Sequence, residues 1–157
     1  MNGNITLEDV TGANLNAVLA LDIAPEQKKY VASPAGILAR AWAHRDDNAD
    51  VHVICLDGRP VGLILVYDLT DEPACYFLME MMIDVRYQNR GIAQKALSLL
   101  ITELSRAHRF PMIELAVDRA NAAAIHAYEK AGFRDSGYTD PQLPQYVKMI
   151  YVFDEHR

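Results

Sequence analysis

Ile83-Asp84-Val85-Arg86-Tyr87-Gln88-Asn89-Arg90-Gly91-Ile92-Ala93 is the stretch on which the fold turns. Upstream of it, the apolar run from Tyr76 to Val85 reads as a strand that stops at a short, polar, basic turn containing Gly91. Downstream, Ala93, Ala96, Leu97, Leu100, Ile101 and Leu104 recur at the spacing of one helix face. A strand that feeds a helix through a glycine-containing turn aims unpaired backbone N–H groups outward at the positive end of the helix dipole. Such a turn is a cradle for a pyrophosphate, so a phosphate-bearing cofactor held mainly by backbone is expected. Turns of this kind with one glycine also serve purely structural ends. This one is not a P-loop, because no Gly-Lys-Ser/Thr follows, and it lacks the further glycines of the dinucleotide fingerprint.

Working outward, Ile5 to Val10 reads as an opening strand and Leu15 to Leu21 as a first helix. Ser33-Pro34 is an N-cap followed by a proline in the first turn, starting a second helix through Trp42. Val51 to Leu56 and Val61 to Tyr67 flank Asp57-Gly58-Arg59-Pro60, a hairpin signal because Asp-Gly supplies positive φ angles. Asp71-Glu72-Pro73 breaks the chain before the long strand Cys75 to Val85, and the helix after Gly91 is expected to run to Ala107. Met112 to Val117 follows as a strand, Asn121 opens a short helix, and Gly132 closes it. Final strands are expected near Phe133 to Tyr138 and Tyr146 to Phe153. The early strands can pair antiparallel through tight turns, whereas the strand–helix–strand unit from Cys75 to Val117 must cross over and run parallel. The expectation is an α/β fold: a mixed sheet, helices on both faces, and a ligand at the carboxyl end of the strand ending at Val85.

The 157 residues suit one domain, 1–157, with a single good core. No apolar run is long enough to span a membrane, and Met1-Asn2-Gly3-Asn4 lacks the blocks of a signal peptide, so a cytoplasmic protein without membrane partners is expected. Cys55 and Cys75 lie in apolar segments and read as buried free thiols. The histidines are scattered, so no metal is expected. A formal charge of −6 argues against a nucleic-acid surface and is compatible with a cationic substrate.

A second element bears on the turn. In Asn121-Ala122-Ala123-Ala124-Ile125-His126-Ala127-Tyr128-Glu129-Lys130-Ala131-Gly132-Phe133, Asn121 and Tyr128 share one helix face, about 10 Å apart along the axis. A long, thin ligand beside this helix could meet an amide at one end and a phenol at the other. Taken singly, Asn121 also reads as an N-cap and Tyr128 as a tyrosine at the edge of the core. His126 falls one step off that face and reads as surface.

Together and in this order, the two elements resemble the GNAT superfamily of acyl-CoA-dependent N-acetyltransferases. The signature Gln/Arg-x-x-Gly-x-Gly/Ala is met by Gln88-Asn89-Arg90-Gly91-Ile92-Ala93, with Ala93 in place of the commoner glycine. The downstream Asn…Tyr…Gly-Phe helix is met by Asn121, Tyr128 and Gly132-Phe133. The order of elements over essentially the whole chain is also that of the family, whose sheet is mostly antiparallel and splays open at the cofactor. Among subgroups the chain is similar to bacterial polyamine (spermidine/spermine) acetyltransferases in its length, in Tyr87-Gln88, and in Glu26-Gln27…Tyr30-Val31.

The resemblance implies acetyl-CoA as co-substrate and a residue-by-residue site. Backbone N–H groups of Asn89, Arg90, Gly91, Ile92 and Ala93 would hold the pyrophosphate, Gln88 opens the turn, and Arg86, Arg90 and Lys95 could add charge. Ile83 and Val85 would pair their backbone with the pantetheine arm, and Asn121 would bond the pantetheine or acetyl region. Tyr128 is the implied acid for the departing thiolate. Glu80 is the candidate base through a water, being the one carboxylate inside Leu78-Met79-Glu80-Met81-Met82; such a group either faces a cleft or pairs with a cation. Many polyamine-type relatives carry Arg or Asp there, which leaves Asp84 as a fallback. Backbone at Met82 and Ile83 could stabilise the oxyanion. No covalent enzyme intermediate is implied.

The acceptor pocket is expected from the loop between the first helices and the final hairpin, with Glu26, Tyr30, Trp42, Tyr138 and Tyr146 as lining. Aromatics and carboxylates suit a polyamine cation, and the same residues would serve equally as rim packing. The expected activity is acetyl transfer to a primary amine of a small cationic acceptor by direct attack in a ternary complex. The alternatives are another amine (an aminoglycoside, an amino acid or a protein N-terminus) and a non-catalytic acyl-CoA sensor. Many relatives dimerise, so a homodimer is possible.

Overall fold

The computed structural model describes residues 3–154; Met1 and Asn2, part of the N-terminal stretch read above, lie outside the described residues. Strand β1 (Ile5–Asp9) leads to helix α1 (Leu15–Leu19), a 3-10 turn at Pro25–Gln27 and helix α2 (Pro34–Ala43). A second 3-10 turn (Arg45–Asp47) precedes β2 (Asp50–Leu56), β3 (Arg59–Leu69) and β4 (Cys75–Ile83). A third (Val85–Tyr87) delivers α3 (Ile92–Ala107), followed by β5 (Met112–Asp118), α4 (Ala122–Ala131), β6 (Arg134–Asp135) and β7 (Tyr146–Val152).

Local chemistry explains most of these boundaries. The Ser33 hydroxyl accepts from Gly36 N–H at 3.1 Å and caps α2, with Pro34 at its first position. Asp57 and Gly58 both take positive φ, 50° and 81°, and fold β2 onto β3 as the sequence predicts. β3 runs two residues past expectation at each end, and three other departures have a local cause. α1 stops at Leu19, because Leu21 and Ile23 leave the helix to bury between α2 and the sheet. β4 ends at Ile83 and not Val85, because the Asp84 side chain accepts from Arg86 N–H and caps the 3-10 turn that follows. The strand expected to reach Tyr138 pairs only at Arg134–Asp135, since Gly137 at φ 80° turns the chain away.

The seven strands form one sheet in the order β1-β2-β3-β4-β5-β7-β6. Every neighbour pair is antiparallel except β4 and β5. Those two pair only at Tyr76↔Ile113 and Phe77↔Glu114, so they part beyond Phe77 and leave a wedge. On one face Ile64, Val66, Tyr76, Leu78, Leu97, Leu100, Ile113 and Leu115 form a core under α3. On the other, Val18, Ile37, Val53, Leu63, Leu65 and Met82 form a second core under α1 and α2.

A bulge in β4 sets which way the wedge is furnished. Leu65 faces Glu80 while Val66 faces Leu78, leaving Met79 without a partner in the register. Tyr76 and Leu78 point into the α3 core; past the extra residue, Glu80 shares the parity of Met82, which belongs to the α2 core. Strict alternation would have driven the carboxylate into the apolar α3 core. One inserted residue turns it to the other face.

Candidate active site

The phosphate turn has the geometry its sequence implies. Gly91 takes φ 77° immediately before α3, and a Cβ placed there would meet nothing within 4 Å. The first bond closing the helix start is Lys95 N–H to the Gly91 carbonyl at 3.2 Å, and the N–H groups of Gly91, Ile92, Ala93 and Gln94 have no acceptor among the described residues. Open space above a run of unpaired donors at a helix N-terminus fits a pyrophosphate. The turn is pinned from behind. Gln88 Nε2 donates to the Ile83 carbonyl at 2.8 Å and to Gln27 Oε1 at 2.9 Å, tying β4, the turn and the loop after α1 together.

Asp84 is the second pin. Only 1% exposed, it accepts from Asp22 N–H (3.0 Å), Arg86 N–H (2.9 Å), Arg86 Nε (2.9 Å) and an Arg86 Nη (3.2 Å). Burial alone would raise its pKa, but these bonds outweigh burial and hold the carboxyl below its usual range. A carboxylate so fully engaged is a structural tie and a poor proton acceptor, and Arg86 is spent on the same tie. Val85 lies in the 3-10 turn and, unlike Ile83, lines no part of the cavity beside the turn; its N–H donates to the Asp22 carbonyl at 2.8 Å.

Two cavities flank the wedge. The larger, about 380 Å³, runs from the phosphate turn (Gln88, Asn89, Gly91, Ile92, Ala93) past Met82 and Ile83 to α4. The smaller, about 100 Å³, lies between Leu78–Met81 of β4 and Leu115–Asp118 of β5. Tyr30, Val31, Met81, Asn121, Ala124 and Tyr128 line both, so the two meet beside the Asn121–Tyr128 face of α4. Asn121 caps that helix, its Oδ1 accepting from Ala124 N–H at 3.3 Å.

The electrostatics at the junction are asymmetric. Glu80 is 8% exposed and lines the smaller cavity; burial pushes its pKa up, partly opposed by Arg40 and by the Ala32 backbone. Arg40 Nε stands 3.8 Å from Glu80 Oε1. Burial, and secondarily the Glu80 carboxylate, push the Tyr128 phenol well above the ordinary tyrosine range, so it stays protonated. Its ring meets Phe133 edge-on at 5.7 Å, and the hydroxyl has no hydrogen-bond partner among the described residues. A buried carboxylate and a protonated phenol lining one cavity can take a proton and give one.

The remaining candidates divide. Tyr30 and Tyr146 line the smaller cavity, whereas Glu26 is exposed and Tyr138, 53% exposed, sits under Lys148 at 4.8 Å. Trp42 is also outside it, 69% exposed beneath Arg45. Arg90 lies over the Tyr87 ring at 5.4 Å and is not part of the cavity wall. Residues that sequence reasoning passed over include Gln27, Met79, Arg40 and Asp118, which reach the site only through tertiary packing. Burial raises the thiols of Cys55 and Cys75 to about 12 and about 11, which leaves both neutral. Among the described residues no group of acidic, histidine and cysteine side chains is placed to hold a metal, and no helix is long and apolar enough to cross a membrane.

Known proteins resemble this chain in sequence and in fold. A spermine/spermidine N(1)-acetyltransferase of Bacillus subtilis (strain 168) is 27% identical over 147 residues, spanning 87% of this chain and 92% of that one. The spermidine N-acetyltransferase from Vibrio cholerae, solved with CoA and spermine, superposes with a TM-score of 0.71 at 17% identity, over 94% of this chain and 95% of that one. An aminoglycoside acetyltransferase, AAC(6')-Ib, solved with coenzyme A, gives 0.74 at 18% identity over 95% of each. The model of the acetyltransferase (GNAT) family matches residues 16–133, a span that opens in α1 and closes just past Gly132. With the phosphate turn, the wedge and the Asn121–Tyr128 helix all inside that span, the chain belongs to the GNAT family of acetyl-CoA-dependent N-acetyltransferases.

Proposed function

We propose that this enzyme acetylates a primary amine of a small, unbranched, polyamine-like cation by direct attack within a ternary complex. One observation carries the reading: the cofactor-sized and acceptor-sized cavities meet at Tyr128, with Glu80 on the acceptor side. Acetyl-CoA lies with its pyrophosphate on the Gly91–Gln94 amides and its pantetheine along the unpaired edge of β4 at Met81–Ile83, which supplies the thioester. Glu80, through a water, takes the proton an attacking ammonium must lose; Tyr128 donates to the departing thiolate. Met82 and Ile83, on the cofactor side, offer backbone to the carbonyl oxygen as it gathers charge.

The acceptor class follows from shape and charge. A slot of about 100 Å³ between Met79, Leu115 and Val117 admits a methylene chain far more readily than fused or linked sugar rings. Glu80 and Asp118 supply negative charge, and Tyr30 and Tyr146 supply aromatic faces for ammonium groups. The similarity to a spermine/spermidine acetyltransferase over most of both chains points the same way.

The test is CoA release from acetyl-CoA with spermidine, spermine, a diamine, kanamycin, free amino acids and a short peptide. Saturable turnover confined to the linear amines is expected, with intersecting initial-rate lines. Turnover only on kanamycin, amino acids or peptide discards the acceptor. Parallel lines discard direct attack.

A further inference from the structure

Glu80 sits where a carboxylate is expensive to ionise; the Ala32 backbone opposes part of that cost, and the charged group that opposes it comes from outside both cavities. Arg40, on α2, places Nε 3.8 Å from Glu80 Oε1, yet it lines neither the cofactor nor the acceptor cavity. Its side chain is half exposed while that of Glu80 is buried, so the pair is anchored in solvent at one end and in the wedge at the other. The bulge at Met79 makes the pairing possible, because only the bulged register turns Glu80 toward the α2 face. A salt bridge on a protein's surface contributes little; one whose acidic partner is buried leaves that partner uncompensated when the cation goes.

We infer that Arg40 is a positioning residue for the acyl transfer, keeping the Glu80 carboxylate ionised and turned to the acceptor slot without itself touching a substrate. The inference rests on Glu80 being the base. Other charged and titratable groups face the same carboxylate. Lys29 and Tyr30 line the slot from the loop before α2, Asp118 from β5, Tyr128 from α4 and Tyr146 from β7. Beside Arg40 itself lies Tyr67 of β3, stacked on His44 and influenced by Asp47. Of these, Lys29 is the other cation, and it is exposed at the mouth, over the Tyr30 ring at 5.1 Å. Arg40 is the cation that forms an ion pair with Glu80.

The sign is fixed by the physics. Burial raises the Glu80 pKa and Arg40 lowers it, so removing Arg40 lets burial act with less opposition. The base then protonates at higher pH, and the acidic limb of the rate profile moves toward neutral. The experiment compares kcat against pH at saturating acetyl-CoA and one saturating acceptor for wild type, Arg40→Met, Arg40→Lys and Glu80→Gln. Ionisation of the acceptor is common to all four and cancels. Glu80→Gln should lose the limb. Arg40→Met should shift it upward while regaining rate at alkaline pH, and Arg40→Lys should stay near wild type.

If Arg40→Met leaves the limb in place while Glu80→Gln abolishes it, the inference about Arg40 is wrong and the base assignment stands. A limb that survives Glu80→Gln removes the base assignment itself. A loss in Arg40→Met that is equal at every pH would mark a structural role and overturn the inference. A side-chain carbon-13 NMR titration, with the Glu80 carboxyl assigned by its loss in Glu80→Gln, reads the same upward shift without turnover.

Discussion

Replacing Tyr128 with Phe separates chemistry from binding at this site more cleanly than any other single change. The ring keeps its edge-on contact with Phe133 at 5.7 Å, so packing is conserved. The hydroxyl has no hydrogen-bond partner among the described residues, so its removal orphans no protein group and the folding penalty is small, about 0.5 kcal/mol or less. On the proposed mechanism, the proton donor for the thiolate is lost outright. General acid catalysis contributes about 10²–10⁴-fold, equivalent to about 2.7–5.4 kcal/mol of barrier. Tyr128→Phe should therefore lower kcat at least about 100-fold while the melting temperature and the CoA dissociation constant barely move. Stopped-flow or thiol-reagent detection of CoA gives kcat, and calorimetric titration gives the affinity. A kcat within threefold of wild type, or a loss of CoA affinity that matches the loss of rate, would refute the acid role. Because burial keeps this phenol protonated beyond the ordinary tyrosine range, the wild-type profile should show no alkaline limb from it below about pH 10.

Other consequences follow from single groups. Glu80 has a raised folded-state pKa, so the stability linked to it is fully present below the unfolded pKa and is lost as pH rises through the folded value. Glu80→Gln should accordingly raise the melting temperature at pH 8 relative to wild type and show little gain at pH 4. Asp84 is the opposite case: its pKa is lowered, its stabilisation is present above the unfolded carboxylate pKa and fades as pH falls through the folded value. Asp84→Asn should cost about 2–3 kcal/mol in urea unfolding at pH 7, since hydrogen bonds to a buried charge are replaced by mismatched donors. Ser33→Ala removes the cap bond to Gly36 and should cost about 1 kcal/mol, read by the same titration. CoA at about 100 times its dissociation constant should add about 2.7 kcal/mol of stability, raising the melting temperature by about 5–10 °C; no shift at saturation would sink the cofactor-cavity reading.

Signals with a local cause were legible in the sequence. Gly91 at the turn, Ser33-Pro34 ahead of α2, Asp57-Gly58 in the hairpin and Gly132 at the end of α4 each act within a few residues, and each stands where its chemistry places it. The apolar face of α3 is set by helical period alone, and Ala96, Leu97, Leu100 and Leu104 are buried. Features whose cause lies elsewhere in the chain were not legible. Nothing in Leu78-Met79-Glu80-Met81-Met82 encodes the bulge; it arises from how β4 registers on β3. Arg40 and Glu80 are paired by tertiary packing, as are Gln27 and Gln88. Tyr138 and Tyr146 looked equivalent as acceptor-lining residues, yet Gly137 turns the chain so that only Tyr146 meets the slot.

The wedge stays open because each of its walls is secured away from the other. β4 is paired to β3 from Leu69↔Cys75 to Gly62↔Ile83, and β5 is paired to β7 from Met112↔Val152 to Asp118↔Tyr146. The two halves touch only at Tyr76↔Ile113 and Phe77↔Glu114, like the closed end of a clip. Closing the open end would require one antiparallel half to give up register along its length, which costs more than leaving a short edge unpaired. An exposed strand edge of this kind seeks an extended partner with its own amides, and a pantetheine arm carries amides. The same opening that exposes the edge also gives Glu80, turned by the bulge at Met79, access to the smaller cavity. On the proposed function, cofactor and acceptor would approach one gap from two sides, and direct transfer between them would need no covalent relay through the protein.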